Sequence, residues 1–251
     1  AAVFGRQWWI EGVERLGGEA EAAAGLRRAG VIVPRARGRF PAAREFAFRT
    51  GLLAEVAYGL LPETQRARLH ARAAEWLDAQ PGVAPDELAR HWELGDEPTR
   101  AAERWAEAAA AAAALADIPT ACAHAARALA LTAAPTLRWR VLATRDDALQ
   151  VVGDDALQRA GLAQLEALAP DLGLAFETEA AWRRCYFQRL ANDVEAAIAT
   201  ALRASHLATQ LDDPRWGARV GIELALLLAD AGRTAEALDA LDPPLSAEHR
   251  R

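Results

Sequence analysis

The chain has 251 residues, a net charge of −6 and 29 basic residues, all of them arginine. Without lysine it can build neither a Walker A phosphate loop nor a Schiff base, and with only Ser205, Ser246 and no GxSxG it lacks a serine-hydrolase elbow. Residues 1–60 hold 9 arginines against 6 acids while residues 61–251 hold 20 against 29, so the bulk of the surface repels nucleic acid.

Alanine dominates the 52% of hydrophobic residues, which predicts close, Ala-lined helix packing anchored by Leu, the eight Trp and the six Phe. Cys122 and Cys185 stand alone, without a CxxC, and read as reduced, structurally buried thiols of a cytoplasmic protein. There is no signal peptide, and the apolar run 222–229 is too short to span a bilayer. The start at Ala1 and the lack of Met lead us to expect a piece of a longer chain.

In chain order, residues 1–16 read as a helix carrying Val3, Phe4, Trp8, Trp9, Val13 and Leu16, stopped by Gly17 and Gly18. A second helix is expected over 19–29. The segment VIVPRARGRFPAAREFAF then reads as two short strands around a Pro/Gly/Arg loop, a wing following a helix pair. Within it, residues 45–49 alternate with Phe46 and Phe48 on one side, the pattern of a half-buried strand. Leu52, Leu53, Val56, Ala57 and Leu60 recur at helical spacing. Pro62 opens the next helix, whose Leu69, Ala73, Trp76 and Leu77 face inward while Arg66, Arg68, Arg72 and Glu75 face out.

Beyond residue 62 only helical patterns remain, interrupted at PGVAPD, GDEP, DIP, AAP, GDD, DDP and GR. Short loops imply antiparallel neighbours. Small residues align at a spacing of 12: Ala109 with Ala121 (then Ala128), Thr144 with Ala156 (then Ala163), Cys185 with Ala197 (then Ala204), and Ala225 with Ala237. Such residues belong where two helices cross; their second members lie 35, 41 and 40 apart, against the roughly 34 of a tetratricopeptide repeat, so the units read as repeat-like and elongated. The expected fold is mainly α: a small winged-helix domain (1–60), connecting helices (61–97) and a tetratricopeptide-like α-solenoid (98–251). The last pair is apolar on nearly all faces of ELALLLADAG, and its short second helix meets Pro243 and Pro244. With no polar cap, further repeats or an oligomeric contact are expected to cover this end.

The stretch EFAFRTGLLAEVAYGLLPETQRARLHARAAEWL, residues 45–77, resembles the junction between a winged-helix domain and tetratricopeptide-like helices in bacterial STAND-type ATPases. Relatives include activators of the maltose-regulon type and ATPases associated with class III cyclases and serine/threonine kinases. The resemblance covers roughly residues 1–132. It implies a nucleotide-binding domain upstream as partner, ATP or ADP bound in the parent protein, and no cofactor in this chain itself. In that family a histidine that senses bound ADP follows the Phe-Arg pair; here Phe48 and Arg49 are followed by Thr50, which can meet a phosphate or cap a helix but cannot titrate.

Arg35, Arg37 and Arg39 alternate along the wing, near Arg44, and could hold phosphate or an acidic partner. Arg104, Arg138, Arg140, Arg183, Arg184 and Arg189 fall on the first helix of successive pairs, the helices expected to line a concave partner-binding face for a protein or peptide. His70, His91, His124 and His206 have no metal-ligand spacing and read as helix packing; Asp146, Asp147, Asp154 and Asp155 read as helix-end and turn residues. The functional expectation is a non-catalytic regulatory segment, with no metal. A sugar-like metabolite sensor using Trp139, Trp182, Tyr186 and Trp216 is the alternative. DNA binding is disfavoured, because EAEAAAGLRRAG offers a recognition helix only Arg27 and Arg28.

Overall fold

The computed structural model describes residues 1–211 and 213–241 and is mainly α, with thirteen α-helices and one three-stranded sheet among the described residues. It divides into two compact units, Ala1–Ala133 and Ala134–Arg251, so the divisions expected at 60 and 97 lie inside the first.

The first unit does not open with the helix expected over 1–16. A 3-10 turn, Ala2–Phe4, ends at Gly5, whose φ of 91° lies where glycine is at ease. Strand β1 (Gln7–Trp9) follows, and only then helix α1 (Ile10–Arg15). The strand prevails over the helical periodicity because β1 pairs antiparallel with β3 (Glu45–Phe48), Trp8 opposite Phe46 and Trp9 opposite Glu45. Alternation then sends the two indoles to opposite faces. Trp8 stacks on Phe46 with centroids 5.2 Å apart, while Trp9 joins Phe4, Phe40 and Trp76.

Helix α2 (Ala22–Arg28) is shorter than the 19–29 expected, and β2 (Ile32–Pro34) pairs with the other edge of β3, giving the order β1-β3-β2. The central strand is covered on both sides rather than half-buried. Glu45 and Ala47 are buried by the aromatic cluster, opposite Phe46 and Phe48. A carboxylate survives there because it is held by donors and a charge: Glu45 Oε2 accepts from Trp9 Nε1 at 3.2 Å and from the Arg39 amide at 2.6 Å, and Arg35 stands 3.7 Å from Oε1.

Helices α3 (Gly51–Gly59), α4 (Glu63–Asp78), α5 (Pro85–Leu94), α6 (Pro98–Ala114) and α7 (Ile118–Leu131) complete the unit. Proline begins α5 and α6, where its missing N–H has no helical partner to lose. Ala73, Ala74 and Leu77 of α4 are buried, and Trp76 lies within the aromatic cluster, so the inward stripe read from the sequence is present. The α4–α5 approach is close at Gly95, where a Cβ would sit 2.8 Å from the Ala71 backbone nitrogen. Ala109, Ala121 and Ala128, the aligned small residues, are all buried between α6 and α7.

The second unit contains α8 (Pro135–Val152), α9 (Asp155–Leu172), α10 (Leu174–Leu190), α11 (Val194–Leu211), α12 (Pro214–Asp230) and α13 (Thr234–Leu241). Successive helices pack as pairs, α8 with α9, α10 with α11 and α12 with α13. The break between α9 and α10 falls on Gly173, at φ 108°, and is not among the interruptions read from the sequence. Cys185, Ala197 and Ala204 are buried as aligned, and so are Ala225 and Ala237. The alignment of Thr144 with Ala156 and Ala163 is two residues out of register, since both alanines are exposed. At the crossing sit Asp146 and Gln158, also 12 apart and joined by a 2.9 Å hydrogen bond. That position is polar, so the spacing of small residues does not mark it.

Ile222 and Leu226 of α12 and Leu238 and Leu241 of α13 are exposed, while the expected stop at Pro243 and Pro244 lies outside the described residues. Among the described residues no helix is long and apolar enough to cross a membrane.

Candidate functional site

Trp182, Tyr186 and Arg189 of α10, spaced by four and three, share one face of that helix. Trp216 and Arg219 of α12 lie beside them. The Arg219 guanidinium sits 3.6 Å from the ring centroid of Trp182 and 5.3 Å from that of Trp216. Trp182 stacks on Tyr186 with centroids 5.7 Å apart, and Arg189 covers the far side of this row, 5.0 Å from the Tyr186 ring, while pairing with Glu223. Arg219 is exposed and meets no carboxylate among the described residues; indole faces hold it instead. A guanidinium so placed leaves N–H groups for a carboxylate or phosphate, beside flat apolar surface. Trp139 does not belong to this row. It is buried edge-on against Phe176, with centroids 5.0 Å apart, and serves the core.

Most of the arginines singled out from the sequence are engaged within the protein. Arg35 lies 3.7 Å from Glu45, and Arg39 donates to Glu87 at 2.7 Å and to the Gly82 carbonyl at 3.2 Å, so these two turn to different elements. Arg37 is exposed, and Arg44 pairs with Glu11. The segment between β2 and β3 therefore presents no cluster of Arg35, Arg37 and Arg39 pointing together. Arg104 binds Asp78 and Glu107, Arg138 reaches Gln164, Arg184 grips Glu166 through two hydrogen bonds of 2.8 and 2.7 Å, and Arg140 is exposed. Arg183 is buried, which takes it off any partner-facing surface.

What holds Arg183 inside is a set of carboxylates, of which Asp146 and Asp147 read from the sequence as helix-end charge. Its Nη1 donates to Asp146 at 2.8 Å and Asp147 at 2.6 Å, and Nη2 lies 2.8 Å from Glu179. Burial works against the charge, but the hydrogen bonds and charges of Asp147, Glu179 and Asp146 outweigh it and hold the guanidinium above its ordinary pKa. Asp154 behaves as expected, capping α9 through the Leu157 amide. One turn from this network, Cys185 is a buried thiol pushed up to about 12 by burial and by the nearby Glu223 charge, and hence unreactive.

Thr50 caps α3: its hydroxyl accepts from the Leu53 amide at 3.3 Å. His70 and His91, read separately in the sequence, meet in the structure. Their Nδ1 atoms are 3.2 Å apart, and Tyr58 Oη lies 3.0 Å from His70 Nε2. One ring donates and the other accepts at this contact, so only one of the two facing nitrogens carries a proton. Burial, then the His70 and Arg90 charges, lower the His91 pKa to about 4. In the unfolded chain a histidine titrates near 6.5, so the unfolded state takes up the extra proton first. Stability is therefore complete above that pH and falls as pH drops from about 6.5 to 4, by roughly 3 kcal/mol at about 1.4 kcal/mol per pKa unit. Urea titrations between pH 7 and 5 check this: His91→Phe should flatten the slope, and an unchanged slope would exclude the histidine pair as its source.

Among the described residues no group of three or more His, Cys, Asp and Glu side chains could hold a metal ion. No family model matches the chain, and no curated protein matches it. Among solved structures it is similar to a signal transduction ATPase with numerous domains (STAND) protein with a tetratricopeptide repeat sensor, from Pyrococcus horikoshii. Identity is 12% and the TM-score 0.42, over 92% of this chain and 41% of that one.

Proposed function

We propose that the chain is a non-catalytic regulatory segment that binds a protein or peptide partner within a multidomain bacterial STAND-type ATPase. In this reading residues 1–60 form a winged helix, 61–97 connect, and 98–251 supply tetratricopeptide-like repeats. The observation that carries it is the row of half-buried Trp182, Tyr186 and Trp216 topped by the exposed Arg219, on the first helices of two successive pairs. Aromatic and arginine side chains are the ones that concentrate binding energy at protein interfaces. The order strand, two helices, strand, long turn, strand in residues 7–48 supports the winged-helix assignment. The junction sequence 45–77 supports the kinship with STAND ATPases. Nucleotide would be bound by the upstream domain, and the capping role of Thr50 favours a structural coupling over direct sensing of ADP.

The test is to measure ATP hydrolysis by the parent's nucleotide-binding region with and without this segment attached. The segment is expected to slow hydrolysis, and Trp182→Ala with Arg219→Ala to weaken partner-dependent relief. Equal rates with and without the segment would contradict the reading. A second reading, a sugar-sensing segment, rests on the same row: Trp182, Tyr186 and Trp216 offer faces for stacking, without Trp139.

A further inference from the structure

A second feature of the same unit lies away from the aromatic row. Glu177, Ala180, Ala181 and Arg184 are spaced by three, one and three and so share the side of α10 opposite Trp182 and Tyr186. With Glu166, Ala169 and Pro170 of α9 and Ala199, Thr200 and Arg203 of α11 they line a cavity of about 240 Å³. That is below the roughly 300–1,000 Å³ of sites holding drug-sized ligands, so any occupant is small.

The floor is apolar and shallow-walled, with Ala169, Ala180 and Ala181 buried beneath it. One wall is closed by the two-pronged pair of Arg184 and Glu166, whose charges satisfy each other. The other two charged residues, Glu177 and Arg203, are opposite in sign and line the same cavity, yet they form no ion pair with each other or with any other described residue. Pro170 adds an acceptor. It has no N–H, so the Glu166 carbonyl loses its donor within the helix at the cavity edge. The half-buried Thr200 hydroxyl can donate or accept.

We infer that this cavity is a binding site for a small zwitterion, a free α-amino acid with a short aliphatic side chain. Its ammonium group meets Glu177 and the Glu166 carbonyl, its carboxylate meets Arg203 and Thr200, and its side chain rests on Ala169, Ala180 and Ala181. The two protein charges line the cavity without pairing with each other; a ligand carrying both charges in the reverse order bridges them. An anion alone or a cation alone satisfies only one. The site uses a different face of α10 from the partner row, so it does not depend on the protein-interaction reading.

Thermal shift and isothermal titration calorimetry on the full 251-residue chain test the site with L-alanine, L-valine and L-leucine as probes. L-valine methyl ester, which lacks the carboxylate, and N-acetyl-L-valine, which lacks the ammonium, are the controls. At least one free amino acid should raise the melting temperature in a dose-dependent way, and both controls should bind at least tenfold more weakly. Glu177→Gln and Arg203→Gln should each weaken binding at least tenfold without altering the far-ultraviolet circular dichroism of the unliganded protein. The proposal is overturned if none of the three amino acids binds at millimolar concentration, if a blocked control binds as well as its parent, or if both variants bind as the unaltered chain does.

Discussion

Replacing Arg183 by alanine should lower the unfolding free energy by about 3–5 kcal/mol, the range for breaking a buried ion pair from one side. The side chain is 7% exposed and Asp146 only 1%, so the loss strands a carboxylate that water cannot reach. Gln158 still donates to Asp146 Oδ1 at 2.9 Å, but an amide dipole offsets little of a full charge. Asp147 is mostly exposed and would simply return to solvent. The asymmetry supplies the control. Arg183→Met combined with Asp146→Leu removes the charge and its partner together, and such replacements are often neutral or stabilising. The double variant should therefore recover most of what Arg183→Ala loses in urea denaturation. If the two lose equally, a stranded Asp146 charge is not what destabilises the alanine variant.

Trp9→Ala should cost about 3–5 kcal/mol in the same measurement, as large aromatic-to-alanine changes in cores do. Trp9 is buried and touches three aromatic rings: Phe4 edge-on at 5.8 Å, Phe40 at 4.7 Å and Trp76 at 5.3 Å. Those rings come from the N-terminal turn, the loop between β2 and β3, and α4, so one indole ties three separate segments together. Its Nε1 is also a donor to the buried Glu45, which would keep only the Arg39 amide as a short contact. Trp9→Phe separates these contributions, retaining most of the packing while removing the donor, and should cost about 1–3 kcal/mol. A loss as large as that of the alanine variant would place the whole effect on the hydrogen bond.

The helices after residue 62 were legible because their ends carry punctuation: Pro85, Pro98 and Pro135 each open the helix that the sequence signals there. The crossings at Ala109–Ala121 and Cys185–Ala197 were legible because small side chains at a fixed spacing have one main use. Strand β1 was not, since Trp8 and Trp9 fit a helix or a strand equally until β3 is in place to pair with them. The contact of His70 with His91 and that of Asp146 with Arg183 span 21 and 37 residues, and nothing local marks either. The sequence marks Arg183 by the right property, a fork that seeks carboxylates, but not by the right side of the surface. It named Trp182, Tyr186 and Trp216 and could not separate them from Trp139, because exposure, not identity, distinguishes them.

Asp146 and Gln158 occupy a place where neighbouring helix pairs put small, featureless side chains. Two alanine-lined helices can slide by a turn and still find alanine opposite alanine, so a stack built only of such seams has many settings of similar energy. A carboxylate that must find both Gln158 and Arg183 has one. The polar seam thus acts as a vernier mark for α8, α9 and α10, fixing which turn of each helix stands beside which, and its worth lies in the misaligned packings it forbids.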